Sequence, residues 1–172
     1  AKSSPEAVVE LPSTAGKHVL GLWNGYRGGL KAPHLRALAR AGALCAGFGL
    51  KLALVDFPEM ELEKLAHRVA RESHADGGSW FRALVVAGRV RQFSGVPGNW
   101  TGTLVATTPQ PAKPEPPAPF DGKLCLLMGV GPAGLPARLL KAAKFHIELT
   151  GHGVELETAT AMGVIAERLS RL

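Results

Sequence analysis

Apolar positions along the chain alternate between short continuous runs and stretches of helical period, and that alternation predicts an α/β fold. Val19 to Leu22 reads as a short buried strand. Asn24, Gly25, Gly28 and Gly29 follow as a loop in which glycine relieves the steric limits on the backbone. A helix rich in small residues is predicted from Pro33, whose missing N–H has no partner to lose at a first helical position, through to Gly49. Lys51 to Phe57 supplies a second strand. Glu59 to Arg71 forms an amphipathic helix with Leu62, Leu65, Ala66 and Val69 on one side, and Ala83 to Val86 reads as a third strand, so the pattern to this point is βαβαβ.

Arg89 to Gly102 interrupts the rhythm with a loop holding Arg91, Pro97, Asn99 and Trp100, before the β-branched strand Thr103 to Thr107. Six of the eleven residues from Pro109 to Pro119 are proline, so an extended spacer or lid outside the core is expected. Leu124 to Met128 is the continuous apolar run of a central parallel strand and is expected to join the earlier sheet. A helix over Leu135 to Lys144, a short strand over Phe145 to Leu149 and a terminal helix over Glu157 to Leu169 complete the series. The expected organisation is a loose leader over residues 1–17 and a single domain over 18–172. At this length roughly 70% of the unfolded chain's surface is buried, enough for a core without disulfide or metal staples.

Composition adds exclusions. No apolar run approaches the roughly 20 residues of a membrane span, and the N-terminal residues lack the apolar segment of a secretory signal, so a cytoplasmic location is expected. Cys45 and Cys125 form no CxxC pair and read as buried thiols. His18, His34, His67, His74, His146 and His152 are scattered without metal-ligand spacing, and no metal is expected. Charge is more informative: the formal net charge is +6, and between Leu11 and Val55 stand Lys17, Arg27, Lys31, Arg36, Arg40 and Lys51 with no acid. Such a field implies an anionic partner, nucleic acid before others, with a solvated basic face as the alternative.

Gly129, Gly131 and Gly134 make a literal GxGxxG between a strand and a helix, the local form of a dinucleotide fingerprint. Its context argues otherwise. Only 38 residues follow Gly134, too few to complete a dinucleotide fold, and Pro132 and Pro136 remove amide donors from a phosphate cradle. A glycine loop that holds an adenosyl ligand through backbone groups remains compatible.

Three segments taken in order, GTLVATTP, LCLLMGVGPAGLPARLL and FHIELTGHGVELETATAMGVIAERL, resemble the C-terminal half of SPOUT, or α/β-knot, methyltransferases. The run VLGLWNGYRGGLKAPHLRALARAGALCAGFGLKLALV resembles that superfamily's first strand, Asn-bearing loop and small-residue helix. PHLRALARA and GVELETATAMG bring the chain nearest to an archaeal SPOUT family of unknown function. The resemblance covers about residues 18–170. It implies a parallel sheet flanked by helices with a C-terminal deep trefoil knot, an exception to the rule that chains avoid knots.

It also implies an S-adenosylmethionine site in three loops, Ala106 to Pro109, Met128 to Gly134 and Leu149 to Ala159. The implied cofactor residues are Thr107, Thr108, Met128, Gly129, Val130, Gly131, Gly134, Leu149, Gly151, Leu156, Glu157 and Thr158, acting largely through backbone groups, with Leu127 as a further apolar wall. Where many relatives carry Ser-Leu-Asn, this chain has Glu155, Leu156 and Glu157. Glu157 is expected to cap the following helix; the alternative is a carboxylate facing the sulfonium.

The implied activity is S-adenosylmethionine-dependent methyl transfer to RNA, tRNA or rRNA, by a homodimer. Arg36 is the candidate catalytic arginine, with a phosphate contact as its alternative, and His34 the candidate base, with polar surface as its alternative. Arg27, Lys31, Arg40 and Arg91 are the candidate RNA contacts. The small-residue faces of the first and last helices are the expected dimer contacts. Two rival readings stand: a noncatalytic RNA- or S-adenosylmethionine-binding module, and a nucleotide-dependent oxidoreductase.

Overall fold

A computed structural model describes residues 9–12, 14–73 and 77–172. His74 and most of the expected leader lie outside the described residues. The order is β1 (Val19–Asn24), α1 (Ala32–Phe48), β2 (Lys51–Val55), α2 (Leu62–Glu72), α3 (Gly78–Val86), β3 (Val90–Phe93), β4 (Thr103–Thr107), β5 (Leu124–Val130), α4 (Ala137–Ala142), β6 (Phe145–Ile147) and α5 (Thr158–Ser170). The strands form one sheet in the order β3-β2-β1-β5-β4-β6, parallel throughout. β5 thus inserts between β1 and β4, with Leu20 paired to Leu126 and Ala106 to Leu127.

Alternation along the strands separates two faces. Leu20, Leu22, Leu52, Leu54, Leu126 and Met128 pack on α1, α2, α3 and α5, whereas Val19, Ala53, Val55, Cys125 and Leu127 lie on the face covered by α4 with Trp23, Phe93 and Trp100. Both cysteines are buried, and burial pushes their thiols well above the usual range, which leaves them unreactive. No helix among the described residues is long and apolar enough to cross a membrane.

One expectation needs correction and two are refined. Ala83 to Val86 is not a strand but the end of α3, and the strand is Val90–Phe93, inside the expected loop. A four-residue apolar run cannot distinguish a buried strand from a buried helix by period alone. Second, the small residues of α1 are divided: Ala39 and Gly42 are occupied within the chain, whereas Ala43 and Gly47 are exposed. A Cβ on Gly42 would lie 2.5 Å from the Phe81 amide nitrogen, and one on Gly77 would lie 1.8 Å from the Ala39 carbonyl, so α3 sits directly on the α1 backbone. The face bearing Ala39 and Gly42 is therefore filled by α3.

Third, the proline-rich segment has no helix or strand, as expected of an extended piece, and it is also tied down. Ala112 N–H donates to His146 Nδ1 at 3.1 Å, His146 N–H donates to the Pro114 carbonyl at 3.1 Å, and Pro116 is buried. Lys113 Nζ donates to the Lys141 carbonyl at 2.8 Å and to the Ala143 carbonyl, satisfying acceptors at the α4 C-terminus. The segment thus straps the outer edge of β6, where an open ladder would otherwise face solvent.

Candidate functional site

In a parallel sheet the loops after the strands gather at one edge, and ligands bind there. Here the ends of β4, β5 and β6 and the start of α5 enclose a cavity of about 260 Å³. Thr107, Thr108, Met128, Gly129, Gly131, Gly134, Leu149, Leu156, Glu157 and Thr158, all expected from the sequence, line it together. Thr107 Oγ1 donates to the Leu127 carbonyl at 2.8 Å, fixing the end of β4 against β5. Gly131 has φ +130°, and a Cβ there would come within 3.2 Å of Gly25, so the loop conformation depends on glycine.

Three expected residues lie elsewhere. Val130 is 2% exposed and packs in the core of the helix-bearing face. Leu127 is fully buried on the other face and forms no cavity wall. Gly151 lines a neighbouring cavity of about 490 Å³ that shares Glu148 and Leu149 with the first. Conversely Leu135, Glu148 and Ala161 line the first cavity although they fall just outside the expected loop boundaries. For Glu148 the available signal was an acid immediately after a short apolar strand, at the edge where such loops gather.

The charges at the cavity are acidic. Glu148, Glu155 and Glu157 line it, and no Lys, Arg or His does. Glu157 caps α5 as expected, accepting from the amides of Ala159 and Thr160 at 3.1 and 3.2 Å. Those amides hold its carboxyl below the usual range, and nearby Arg40 adds to the effect. Glu148 Oε1 accepts from the hydroxyl and amide of Thr150 at 2.7 and 3.0 Å. The Thr150 hydroxyl, with the amides of Thr150, Gly153 and Gly151, lowers its pKa as well.

The basic group lies next to this cavity. Gly25 N–H donates to the Val130 carbonyl at 2.7 Å, suturing the β1–α1 loop to the glycine loop after β5. Arg27 and Lys31 are exposed on the β1–α1 loop, and Arg36 and Arg40 are exposed one turn apart on α1. Arg91 does not join them. It stands on edge strand β3, separated from β5 by β2 and β1, with its guanidinium 5.4 Å from the Trp100 ring centroid.

His34 is not an exposed base but a buried organiser. Lys31 N–H donates to its Nδ1 at 2.9 Å, so that nitrogen is bare, and the proton on Nε2 is given to Asn24 Oδ1 at 2.7 Å. Asn24 Oδ1 also accepts from the Tyr26 amide at 3.0 Å, and Asn24 Nδ2 donates to the Asp56 carbonyl at 3.1 Å. Asp56, at φ +58°, in turn accepts from Trp23 Nε1 at 3.1 Å and the Gly95 amide at 2.8 Å, and pairs with Arg138. Burial lowers the pKa of His34, as it does for His18, which likewise takes the Leu124 amide on Nδ1. Among the described residues no three metal-ligating side chains cluster.

No protein-family model matches the chain. An uncharacterized protein of Methanocaldococcus jannaschii is 29% identical over 146 residues, covering 77% of this chain and 80% of its own. Among solved structures, the SpoU methyltransferase AviRb of Streptomyces viridochromogenes, in complex with AdoMet, superposes with a TM-score of 0.54 at 18% identity. That match covers 94% of this chain and 59% of AviRb, so the chain spans about three-fifths of that protein's length. A structure described as giving insights into 2-OH methylation of C/U34 on tRNA superposes with a TM-score of 0.56 at 21% identity, covering 91% of both chains. The chain has the fold of the SpoU-type SPOUT methyltransferases, and the resemblance read from its sequence is borne out.

Proposed function

We propose that this chain is an S-adenosylmethionine-dependent methyltransferase acting on RNA, tRNA or rRNA, with the cavity at the ends of β4, β5 and β6 as its cofactor site. The observation that carries the reading is the bond from Gly25 N–H to the Val130 carbonyl, which sets a basic loop directly against the glycine loop of the cavity. The AdoMet-bound relative and the tRNA 2-OH methylation relative support the same pairing of cofactor and substrate.

The residues present fit such a cofactor. Met128, Leu135, Leu149 and Leu156 offer apolar walls to an adenine ring, and Gly131 holds the loop in a conformation that a side chain would disturb. Backbone groups of Thr107, Gly129, Gly131 and Leu149 orient the adenosyl moiety in this reading. The bound cofactor supplies a methyl group on a positively charged sulfur, open to in-line displacement. Arg27, Lys31 and Arg40 hold phosphates, and Arg36 lines up the acceptor atom, because placement is the enzyme's main contribution to such a transfer. His34 acts as a positioning residue that fixes the loop carrying Arg27 and Lys31.

The reading includes a single domain over 18–172 in a cytoplasmic setting, and a trefoil knot in which the segment after β4 encloses the chain leading to α5. It also includes a homodimer formed through the exposed small residues of α1 and α5, where a Cβ on Gly47 or Gly163 would meet nothing within 4 Å among the described residues. One observation favours a noncatalytic module as the second reading: both ring nitrogens of His34, the expected base, are committed within the chain. Incubation with methyl-labelled S-adenosylmethionine and total RNA tests the two. Transfer to RNA is the expected result, and cofactor binding without transfer selects the module.

A further inference from the structure

We infer that Glu148, aided by Glu155 and Glu157, makes the cavity a charge filter that holds the cationic methyl donor in preference to the neutral thioether left after transfer. The inference rests on the cofactor reading above and concerns this chain's own carboxylates. Glu148 follows β6 directly and lines both cavities, so it stands in the wall that separates them. Thr150 fixes its Oε1 through two hydrogen bonds, which leaves the carboxylate little freedom to turn away. Its Oε2 accepts no hydrogen bond of good geometry, although the Gly151 and Gly153 amides lie close enough to stabilise the carboxylate. The group therefore stays charged and keeps acceptor capacity for a cationic ligand beside it.

Glu155 and Glu157 extend the same sign across the cavity, and no cationic side chain lines it to oppose them. Glu157 is partly offset by the α5 amides and by Arg40, and Glu148 by the Thr150 hydroxyl and the amides of Thr150, Gly151 and Gly153, so the field depends on all three carboxylates together. The hydrogen bonds from Thr150 and the neighbouring amides keep Glu148 ionised at neutral pH.

Before transfer the ligand carries a sulfonium, an ammonium and a carboxylate, for a net charge of about +1. During transfer the carbon–sulfur bond breaks, its electron pair stays on sulfur, and the methyl carbon bonds to the acceptor oxygen or nitrogen. The acceptor's proton leaves to solvent. The adenosyl product is then a neutral thioether of net charge near zero, and the attraction to the carboxylates falls away. Charged walls therefore favour the reactant and loosen the product, the differential binding that a turning-over enzyme needs.

Calorimetric titration of the whole chain with S-adenosylmethionine and with S-adenosylhomocysteine tests this. The unaltered protein is expected to bind the sulfonium at least about fivefold more tightly, allowing for solvent screening of partly exposed carboxylates. Glu148→Gln, which keeps the shape, is expected to lower sulfonium affinity about threefold while leaving thioether affinity unchanged. Glu155→Gln is expected to act in the same direction, and thermal melts check that each variant is folded. Equal or tighter binding of the thioether by the unaltered protein overturns the inference. So does a Glu148→Gln variant that weakens both ligands alike, because that pattern assigns Glu148 to the adenosine moiety. Failure of both ligands to bind defeats the cofactor reading itself, and the charge filter with it.

Discussion

The cavity and the basic rim beside it are built by opposite means. The cavity is made largely of backbone, glycine and apolar walls, and its charged lining residues are Glu148, Glu155 and Glu157. The rim presents Arg27, Lys31, Arg36 and Arg40 as exposed side chains on a loop and helix without an acid. The β1–β5 ladder and the backbone bond from Gly25 to Val130 hold the two together. In the proposed reading one fold edge receives a cationic small molecule and a polyanion side by side, with acidic and basic groups kept on different segments of chain. On that reading the cavity's specificity depends on loop shape, whereas the rim's depends on charge number and on the His34–Asn24 pair that sets the loop.

The comparison breaks most sharply at Gly131. Its φ of +130° excludes L side chains, so Gly131→Val must redraw the loop that shapes the cavity. At least about a 100-fold loss of S-adenosylmethionine affinity is expected by calorimetry, with the circular dichroism spectrum retained. RNA affinity should fall only a few-fold, through the displaced Gly25 backbone of the adjoining loop, and an equally large loss of RNA binding would erase the distinction between the regions.

Arg36→Ala comes next. If Arg36 aligns the acceptor, transfer under saturating RNA and cofactor falls about 10- to 100-fold while both affinities change little. A pure affinity loss would place Arg36 with the phosphate-binding side chains.

Arg27→Ala and Lys31→Ala should each weaken RNA binding a few-fold and reduce the salt dependence. The log–log slope is expected to fall by about 0.7 to 0.9 for each phosphate that is no longer neutralised. A slope unchanged from the unaltered protein would remove these residues from the RNA interface.

The smallest expected effect is on stability. Burial lowers the folded-state pKa of His34 and His18, so both stay neutral in the folded chain while the unfolded chain takes up protons below about pH 6.5. Their contribution is complete above that value and declines as pH falls toward the folded pKa values. Chemical denaturation at pH 7.5 and pH 5.5 should show lower stability at the acid end. His34→Gln should reduce part of that pH dependence.

Much of this contrast was legible in the sequence. The acid-free run placed the rim, and the family resemblance of the ordered strand-loop segments implied ten of the cavity residues. Val130 and Leu127 were misplaced because a loop boundary read from sequence does not say to which face each residue of β5 turns. Helix α3 was missed because its sequence signal is a short apolar run, and its placement depends on Gly42 and Gly77 meeting another helix far along the chain. The work of His34, His18 and His146 as links between distant segments was equally hidden. Their partners at Asn24, Leu124 and Ala112 are tertiary, and spacing carries no trace of them.

The central claim is that the cofactor is held by the cavity alone and the rim serves the polyanion. Calorimetric titration of S-adenosylmethionine into the unaltered chain and into the Arg27→Ala, Lys31→Ala double variant tests it most directly. The account predicts saturable binding with one cofactor per chain and the same affinity in both proteins. Absence of binding to the unaltered chain, or a loss in the double variant as large as that caused by Gly131→Val, would contradict it.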